Sequence, residues 1–368
     1  MNTLVLQPHS RRLDWSFFIG RSREPAERSS LPLSMSDAGQ VTAALARIVA
    51  DCRRGRRGGP YGSSVRDGVD AAAVRAGFGG AEFDAPAPVT PDTLRALGEL
   101  AGQDPLHAPG MLTFLDCCQR VLGETPVVLV FETAFFAHLP PREHLYGLDA
   151  GLAQGMALRR LGYHGIYHEA ACLSAGRRIA GEPPRRILSI CLENRPEIAA
   201  VLGRRPLMVT GGATPLEGLP GQTSCGELDP GIVLMLAEKL RWGAEQIDQA
   251  LTRQSGWEGL AGRRADLEEL FTSPDPQLQA AMEMVRYRML LACGAGVAAL
   301  GGVDRIVFSG RYAGVAEVLG PWLQEKLLRA CRHSGGPITW QQFREPLDRL
   351  IANAALAGLP TAIPQSVR

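Results

Sequence analysis

The chain has 368 residues, 45% of them apolar and 21% charged, with a formal net charge of +1. This is an ordinary globular composition, too long for one domain of ~100–150 residues and rich enough in apolar side chains to bury a large core, so two lobes are expected. A charge so close to zero excludes a field strong enough to recruit nucleic acid or a membrane surface, and a small molecule is the default partner.

The opening residues Met1 to Arg12 place no positive charge ahead of a long apolar core and do not read as a secretory signal. The longest apolar run, Met289 to Val303, is shorter than the ~20 residues that span a bilayer and is broken by Gly294, Gly296, Gly301 and Gly302. Eight cysteines show neither a Cys-x-x-Cys pair nor histidines at zinc spacing, which predicts reduced, buried thiols. Together these features predict a soluble, cytoplasmic chain.

In chain order, Leu4-Val5-Leu6 and Trp15 to Ile19 are β-rich runs that predict an opening hairpin, and a helix follows over Val41 to Cys52. Arg53 to Pro60 is a basic, Gly-rich loop whose simplest reading is a solvated linker. A Thr-Pro-Asp start predicts an amphipathic helix over Asp92 to Leu100. Val127 to Phe131 is apolar without a break, as in a strand buried on both faces, and Ile187 to Cys191 and Arg305 to Ser309 repeat the pattern. Helices are expected between and after them over Leu152 to Leu161, Val233 to Leu240, Leu278 to Leu300 and Pro321 to Arg332. Strands alternating with helices predict α/β layers.

Several stretches share order and spacing with one family. Phe131-Glu132-Thr133-Ala134-Phe135, with Pro140-Pro141 and Tyr146 downstream, resembles the Phe-Asp-Thr-Ala-Phe segment of acetate kinases. Arg160-Leu161-Gly162-Tyr163-His164-Gly165, running on to His168, is similar to that family's Arg-Arg-Tyr-Gly-Phe-His-Gly-Thr-Ser-His. Pro105-Leu106-His107-Ala108-Pro109, Thr214-Pro215-Leu216-Glu217-Gly218, Gly226 to Gly231 and Gly301-Gly302-Val303-Asp304 resemble further family blocks in the same order. The chain is therefore identified as a divergent member of the acetate kinase family. The fold this implies is α/β, with two ribonuclease-H-like lobes and a nucleotide cleft between them: residues 1–133 joined by 341–368, and residues 134–340.

The resemblance implies transfer of a phosphoryl group between ATP and a short-chain carboxylate such as acetate or propionate, with Mg2+, and a two-fold homodimer. Such chemistry needs cations around the transferring phosphoryl and aligned donor and acceptor oxygens rather than covalent help. By resemblance Arg75 holds the carboxylate or acyl phosphate, a task suited to a planar guanidinium. His164 donates to the phosphoryl, His107 lines the same cleft, and His168 is structural. Glu132, where the family has aspartate, orients the arginine and helps to hold Mg2+ through water. The acyl pocket maps onto Gly77, Leu106, Tyr163 and Pro215; the family has valine at Gly77 and phenylalanine at Tyr163, so a longer acid than acetate is expected to fit. The nucleotide side maps onto Asn194, Asp266, Gly310 and Tyr312.

Other family motifs are lost. Gln7 to Asp14 replaces the opening Asn-x-Gly-Ser-Ser-Ser-Leu-Lys and keeps only Ser10 and Leu13. Cys191-Leu192-Glu193-Asn194-Arg195-Pro196-Glu197 replaces a Gly-rich phosphate loop, so Glu193 and Glu197 are expected to present negative charge to a phosphate and Arg195 to crowd it. Gly310 alone survives from the adenosine loop, and Ser224 stands where the family has an arginine that meets the phosphoryl; Arg11, Arg12 or Arg311 are candidates to replace it. Three readings stay open: an ATP-dependent acyl kinase, a catalytically impaired binding or regulatory protein, and an acyl kinase with another phosphoryl donor.

Overall fold

Apolar runs become strands here wherever both faces find cover, and the sheet they build is the same twice over. The computed structural model describes residues 1–54, 68–100, 108–176, 184–330 and 337–359. The chain divides into two compact units, Met1–Ala137 with the stretch from Glu345 onward, and His138–Arg344.

The first unit runs β1 (Thr3–His9), β2 (Arg12–Phe18), β3 (Glu27–Pro32), α1 (Ala38–Arg54), β4 (Ala71–Ala76), β5 (Ala87–Pro88), α2 (Pro91–Leu100), α3 (Ala108–Leu122) and β6 (Val127–Phe131). Its sheet has the order β3-β2-β1-β4-β6-β5. β1, β2 and β3 form an antiparallel meander, while β4 and β6 run parallel to β1. His9 pairs with Arg12 across the hairpin, so only Ser10 and Arg11 turn the chain. Leu4, Leu6, Val74, Leu129 and Phe131 share one core with Leu45 and Ile48 of α1 and Phe114 and Leu115 of α3. The C-terminal helix Leu347–Gly358 returns to this unit, where its buried Asp348 accepts from Arg28 of β3 at 2.7 Å.

The second unit runs α4 (Pro141–His144), α5 (Ala150–Gly155), α6 (Gly165–Ala175), β7 (Arg186–Cys191), β8 (Glu197–Leu202), β9 (Arg205–Val209), α7 (Pro230–Lys239), α8 (Ala244–Arg253), α9 (Gly256–Ala261), α10 (Leu267–Thr272), α11 (Pro276–Leu300), β10 (Arg305–Ser309), α12 (Ala316–Ala330) and β11 (Thr339–Gln342). Its sheet order is β11-β10-β7-β8-β9. Again a meander, β7-β8-β9, is followed by strands parallel to its first member, β10 and β11. Both units thus carry the ribonuclease-H-like plan. In each, the loops that leave the carboxyl ends of the parallel strands lie together, the edge at which α/β sheets place functional groups.

Two helices differ from expectation. The helix read over Leu152 to Leu161 stops at Gly155: Ala157 takes a left-handed φ of 49°, and the amides of Ala157 and Leu158 close back on Gln154 and Ala153. This is a Schellman ending, and it turns the chain into the extended approach to Tyr163. The helix read from Pro321 begins earlier, at Ala316, with Pro321 inside it. Buried Leu319, Leu323 and Leu327 hold that helix against the core and outweigh the backbone bond that proline removes. The basic loop lies outside the described residues from Gly55 onward.

Among the described residues no helix is long and apolar enough to cross a membrane. The described cysteines are free and, except for half-buried Cys225, buried, and burial pushes the Cys172 and Cys293 thiols up to about 12.

The turn after β4 distinguishes two nearby glycines. A Cβ at Gly79 would lie 2.8 Å from the Phe131 ring, which stacks on Phe83 with centroids 4.4 Å apart, whereas a Cβ at Gly77 would meet nothing within 4 Å. Gly79→Ala should therefore lower unfolding stability by ~1–3 kcal/mol through overpacking. Gly77→Ala should change it by less than ~0.5 kcal/mol. Urea unfolding of the pair checks this; equal stabilities would contradict it.

Candidate functional site

In the first unit, parallel pairing of β4 with β6 sets the geometry. Ala76 pairs with Phe131, and the Glu132 amide donates to the Ala76 carbonyl at 2.9 Å, so Arg75 and Glu132 come to the same edge. Arg75 Nε donates to Glu132 Oε1 at 2.5 Å. The Glu132 side chain is 2% exposed and that of Arg75 20%. Glu132 Oε2 is buried and has no hydrogen-bond partner among the described residues. A buried carboxylate oxygen left without a donor is costly, so it marks a position suited to a water, a cation or a substrate group. Thr133, next in the chain, accepts from the Gly79 amide at 2.9 Å and holds the glycine turn against β6.

Sequence reading missed a third member of this edge. His9, at the carboxyl end of β1, bonds through Nε2 to Asp14 Oδ2 at 3.0 Å, and Asp14 also accepts from Ser30 at 2.5 Å and Arg12 at 3.1 Å. Burial, then the positive charges of Arg75 and Arg12, lower the His9 pKa to about 4 despite Asp14. His9 is thus a neutral imidazole beside Arg75 at ordinary pH. Its signal was a histidine closing an apolar strand. Leu106 and His107 lie outside the described residues.

In the second unit the chain enters α6 through Tyr163 and His164. The Tyr163 amide donates to both Glu197 oxygens at 3.1 and 3.0 Å, and its hydroxyl donates to the Ala213 carbonyl at 3.0 Å. Behind that carbonyl, the Tyr146 hydroxyl accepts from the Ala213 amide at 2.7 Å and donates to Glu217, which also pairs with Arg160 at 2.5 Å. His164 takes a left-handed φ of 54°, uncommon for a residue with a side chain. Its Nε2 meets the Arg195 carbonyl at 3.1 Å. Arg195 in turn donates to the Pro215 carbonyl at 3.3 Å. His168 is buried and bonds Ser189 at 2.8 Å, a structural position.

The loop after β7 is not the repelling surface the sequence suggested. Glu197 opens β8, is buried, and turns inward to the Tyr163 amide and to His168, 3.4 Å away. Glu193 accepts the Arg311 amide at 2.7 Å and faces its guanidinium at 3.6 Å, so its charge is answered inside the protein. The Tyr312 hydroxyl donates to Asn194 at 3.2 Å, and its amide donates to Leu192 at 3.0 Å. Gly310, with φ of 91°, passes so close to Leu192 that a Cβ would lie 2.5 Å from the Leu192 carbonyl. Asp266 caps α10 by accepting the Glu269 amide at 2.8 Å; burial raises the Tyr312 phenol pKa, and Asp266 adds to the rise. Asn194, Gly310, Tyr312 and Asp266 are therefore neighbours. Arg75 and Glu132 gather in the first unit, and Tyr163, His164 and Pro215 gather in the second.

The family model described as the acetokinase family matches residues 40–329. Among curated relatives, an acetate kinase from Coprothermobacter proteolyticus is 35% identical over 254 residues, which cover 68% of this chain and 63% of the relative. One from Clavibacter michiganensis is 37% identical over 243 residues, 65% and 60% of the two chains. The matched stretch thus spans less than two thirds of those relatives' length. Among solved structures, a Porphyromonas gingivalis acetate kinase superposes with a TM-score of 0.81 at 24% identity, covering 98% of this chain and 100% of that one. A propionate kinase from Francisella tularensis gives the same TM-score at 20% identity, covering 97% and 100%. At these identities the likeness speaks to the fold.

The lowered His9 pKa has a stability consequence. The folded protein resists protonating a histidine that the unfolded chain protonates near pH 6.5, so the contribution is complete above pH 6.5 and is lost as pH falls toward 4. Urea midpoints should fall across that window and fall less steeply in His9→Gln. Identical slopes for the two proteins would contradict the assignment.

Proposed function

We propose that this chain, which belongs to the acetokinase family, transfers a phosphoryl group between ATP and a short-chain carboxylate. The observation that carries the reading is Arg75, fixed by a buried carboxylate beside the open space at Gly77. A carboxylate substrate pairs with the Arg75 guanidinium, and its alkyl end takes the space where family members have valine. One carboxylate oxygen attacks the terminal phosphorus, the bond to the bridging oxygen breaks, and acyl phosphate and ADP result; the reverse reaction uses the same groups. By resemblance His164 donates to the phosphoryl and Tyr163 belongs to the acyl pocket, with Pro215, Leu106 and His107 completing the set.

Among the described residues no group of three His, Cys, Asp or Glu side chains stands together as a metal site. Glu132 Oε2, which has no hydrogen-bond partner among the described residues, still suits Mg2+, which takes one carboxylate and fills its other positions with water and phosphate oxygens. Mg2+ would supply charge neutralisation at the phosphates. Asn194, Asp266, Gly310 and Tyr312 form the proposed nucleotide side, and the cytoplasm and a two-fold dimer are the setting the family resemblance suggests.

A second reading, an impaired binding protein, draws on one observation: Glu193 with Arg311, and Asn194 with Tyr312, tie together the two loops that a nucleotide would have to enter. Trapping acyl phosphate as a hydroxamate, from ATP, Mg2+ and acetate, propionate or butyrate, tests both readings. The kinase reading expects product, a loss of ~10²-fold or more in His164→Ala, and propionate or butyrate at least equal to acetate until Gly77→Val restores preference for acetate. No product above the His164→Ala control with any acid would contradict it.

A further inference from the structure

We infer that Arg195 is the catalytic cation that meets the transferring phosphoryl group, in place of the cation that the family resemblance puts at Ser224. The inference rests on the kinase reading above for its reaction, and on the following geometry for its residue.

Arg195 sits in the turn between β7 and β8, followed by buried Pro196, which restricts the arginine's backbone to extended conformations and stiffens the turn. Its stem lies against Gly221: a Cβ there would be 2.8 Å from Arg195 Cγ and 2.4 Å from Ser224 Oγ. Arginine stem and serine hydroxyl therefore crowd the same face of one glycine. Ser224 is itself buried, and its hydroxyl and the Arg195 stem both lie against Gly221. From there the guanidinium reaches the Pro215 carbonyl, while the Arg195 carbonyl meets His164 Nε2. One residue thus joins the histidine to the proline loop, and among the described residues most of its guanidinium donors are unused.

Its charge is also unanswered among the described residues. Arg12 has Asp14, Arg75 has Glu132, Arg160 has Glu217 and Arg311 has Glu193, but among the described residues no carboxylate pairs with Arg195. Arg195 presents exposed surface, yet the surrounding protein and the positive charge of Arg253 both act to lower its pKa, with Tyr163 opposing. Arginine stays protonated in such surroundings, so the site keeps net positive charge. The positive charge of Arg253 adds to that of Arg195, and a phosphoryl group with its equatorial oxygens fits the planar fork of donors. Arg12 and Arg311 are poorer candidates, because each already holds a carboxylate.

The test compares Arg195→Ala, Arg195→Lys and the double variant Arg195→Ala/Ser224→Arg with wild type in the full chain, using hydroxamate turnover and calorimetric binding of acetyl phosphate. The inference expects kcat to fall ~10²–10³-fold in Arg195→Ala with little change in KM for the carboxylate. It expects Arg195→Lys to recover part of the loss, and the double variant to recover at least about tenfold because the guanidinium returns to the same space. Acetyl phosphate should bind wild type more tightly than Arg195→Ala while the unfolding midpoints agree. Turnover in Arg195→Ala within about threefold of wild type, or no recovery in the double variant, overturns the inference and leaves the kinase reading standing. If wild type does not turn over, the kinase reading fails, and equal acetyl phosphate binding by wild type and Arg195→Ala overturns the anion site separately.

Discussion

A carboxylate buried at the end of a central strand, held by one arginine from the neighbouring strand, is the constraint on which the first unit is built. Taking Glu132 out of water is expensive, and only a close, charge-assisted bond to Arg75 offsets it. That bond requires β4 and β6 to be adjacent, parallel and in the observed register, because a slip of one residue between them would put the two side chains on opposite faces. Breaking such a pair by removing one partner typically costs ~3–5 kcal/mol. The same bond fixes the guanidinium's direction. Arg75 is therefore a preorganised group rather than a mobile surface arginine, at an edge that Gly77 leaves open.

The second unit solves a different electrostatic problem on the same sheet plan. Its turn after the first strand carries two acids and an arginine where a glycine-rich cradle would normally pass. Each acid is answered: Glu197 by the Tyr163 amide and His168, Glu193 by Arg311. Arg195 alone among those three charged residues is left without an opposite charge among the described residues. The network of Tyr146, Glu217, Arg160 and Ala213 then holds Tyr163 in place and, next to it, the strained His164. Rigid support behind a few functional side chains is what positional chemistry needs, since phosphoryl transfer depends on alignment more than on covalent help.

Much of this was legible in the residues. Val127–Phe131, Arg186–Cys191 and Arg305–Ser309 are strands because their largely apolar runs have no alternating polar face to expose. Membership of the acetokinase family followed from ordered blocks, and the matched family model agrees. Other features were hidden for physical reasons. β3, Glu27–Pro32, is an edge strand with mostly exposed side chains and so carries little hydrophobic pattern. β8 opens with a glutamate whose burial depends on a partner far away in sequence, so the sequence suggested a loop. The end of α5 turns on a left-handed alanine, which no glycine or proline announces. His9 and Arg195 both occupy positions where the family pattern fails, and only three-dimensional neighbours reveal what such residues do.

The central claim is that Glu132 and Arg75 act as one unit in receiving the carboxylate. A double-mutant cycle on kcat/KM for acetate or propionate, with Arg75→Ala, Glu132→Gln and the double variant, measures it most directly. The account predicts that each single change lowers kcat/KM by ~10²-fold or more and that the double variant is little worse than either, because the second change removes nothing still working. Losses that simply multiply, or a Glu132→Gln enzyme as active as wild type, would contradict it.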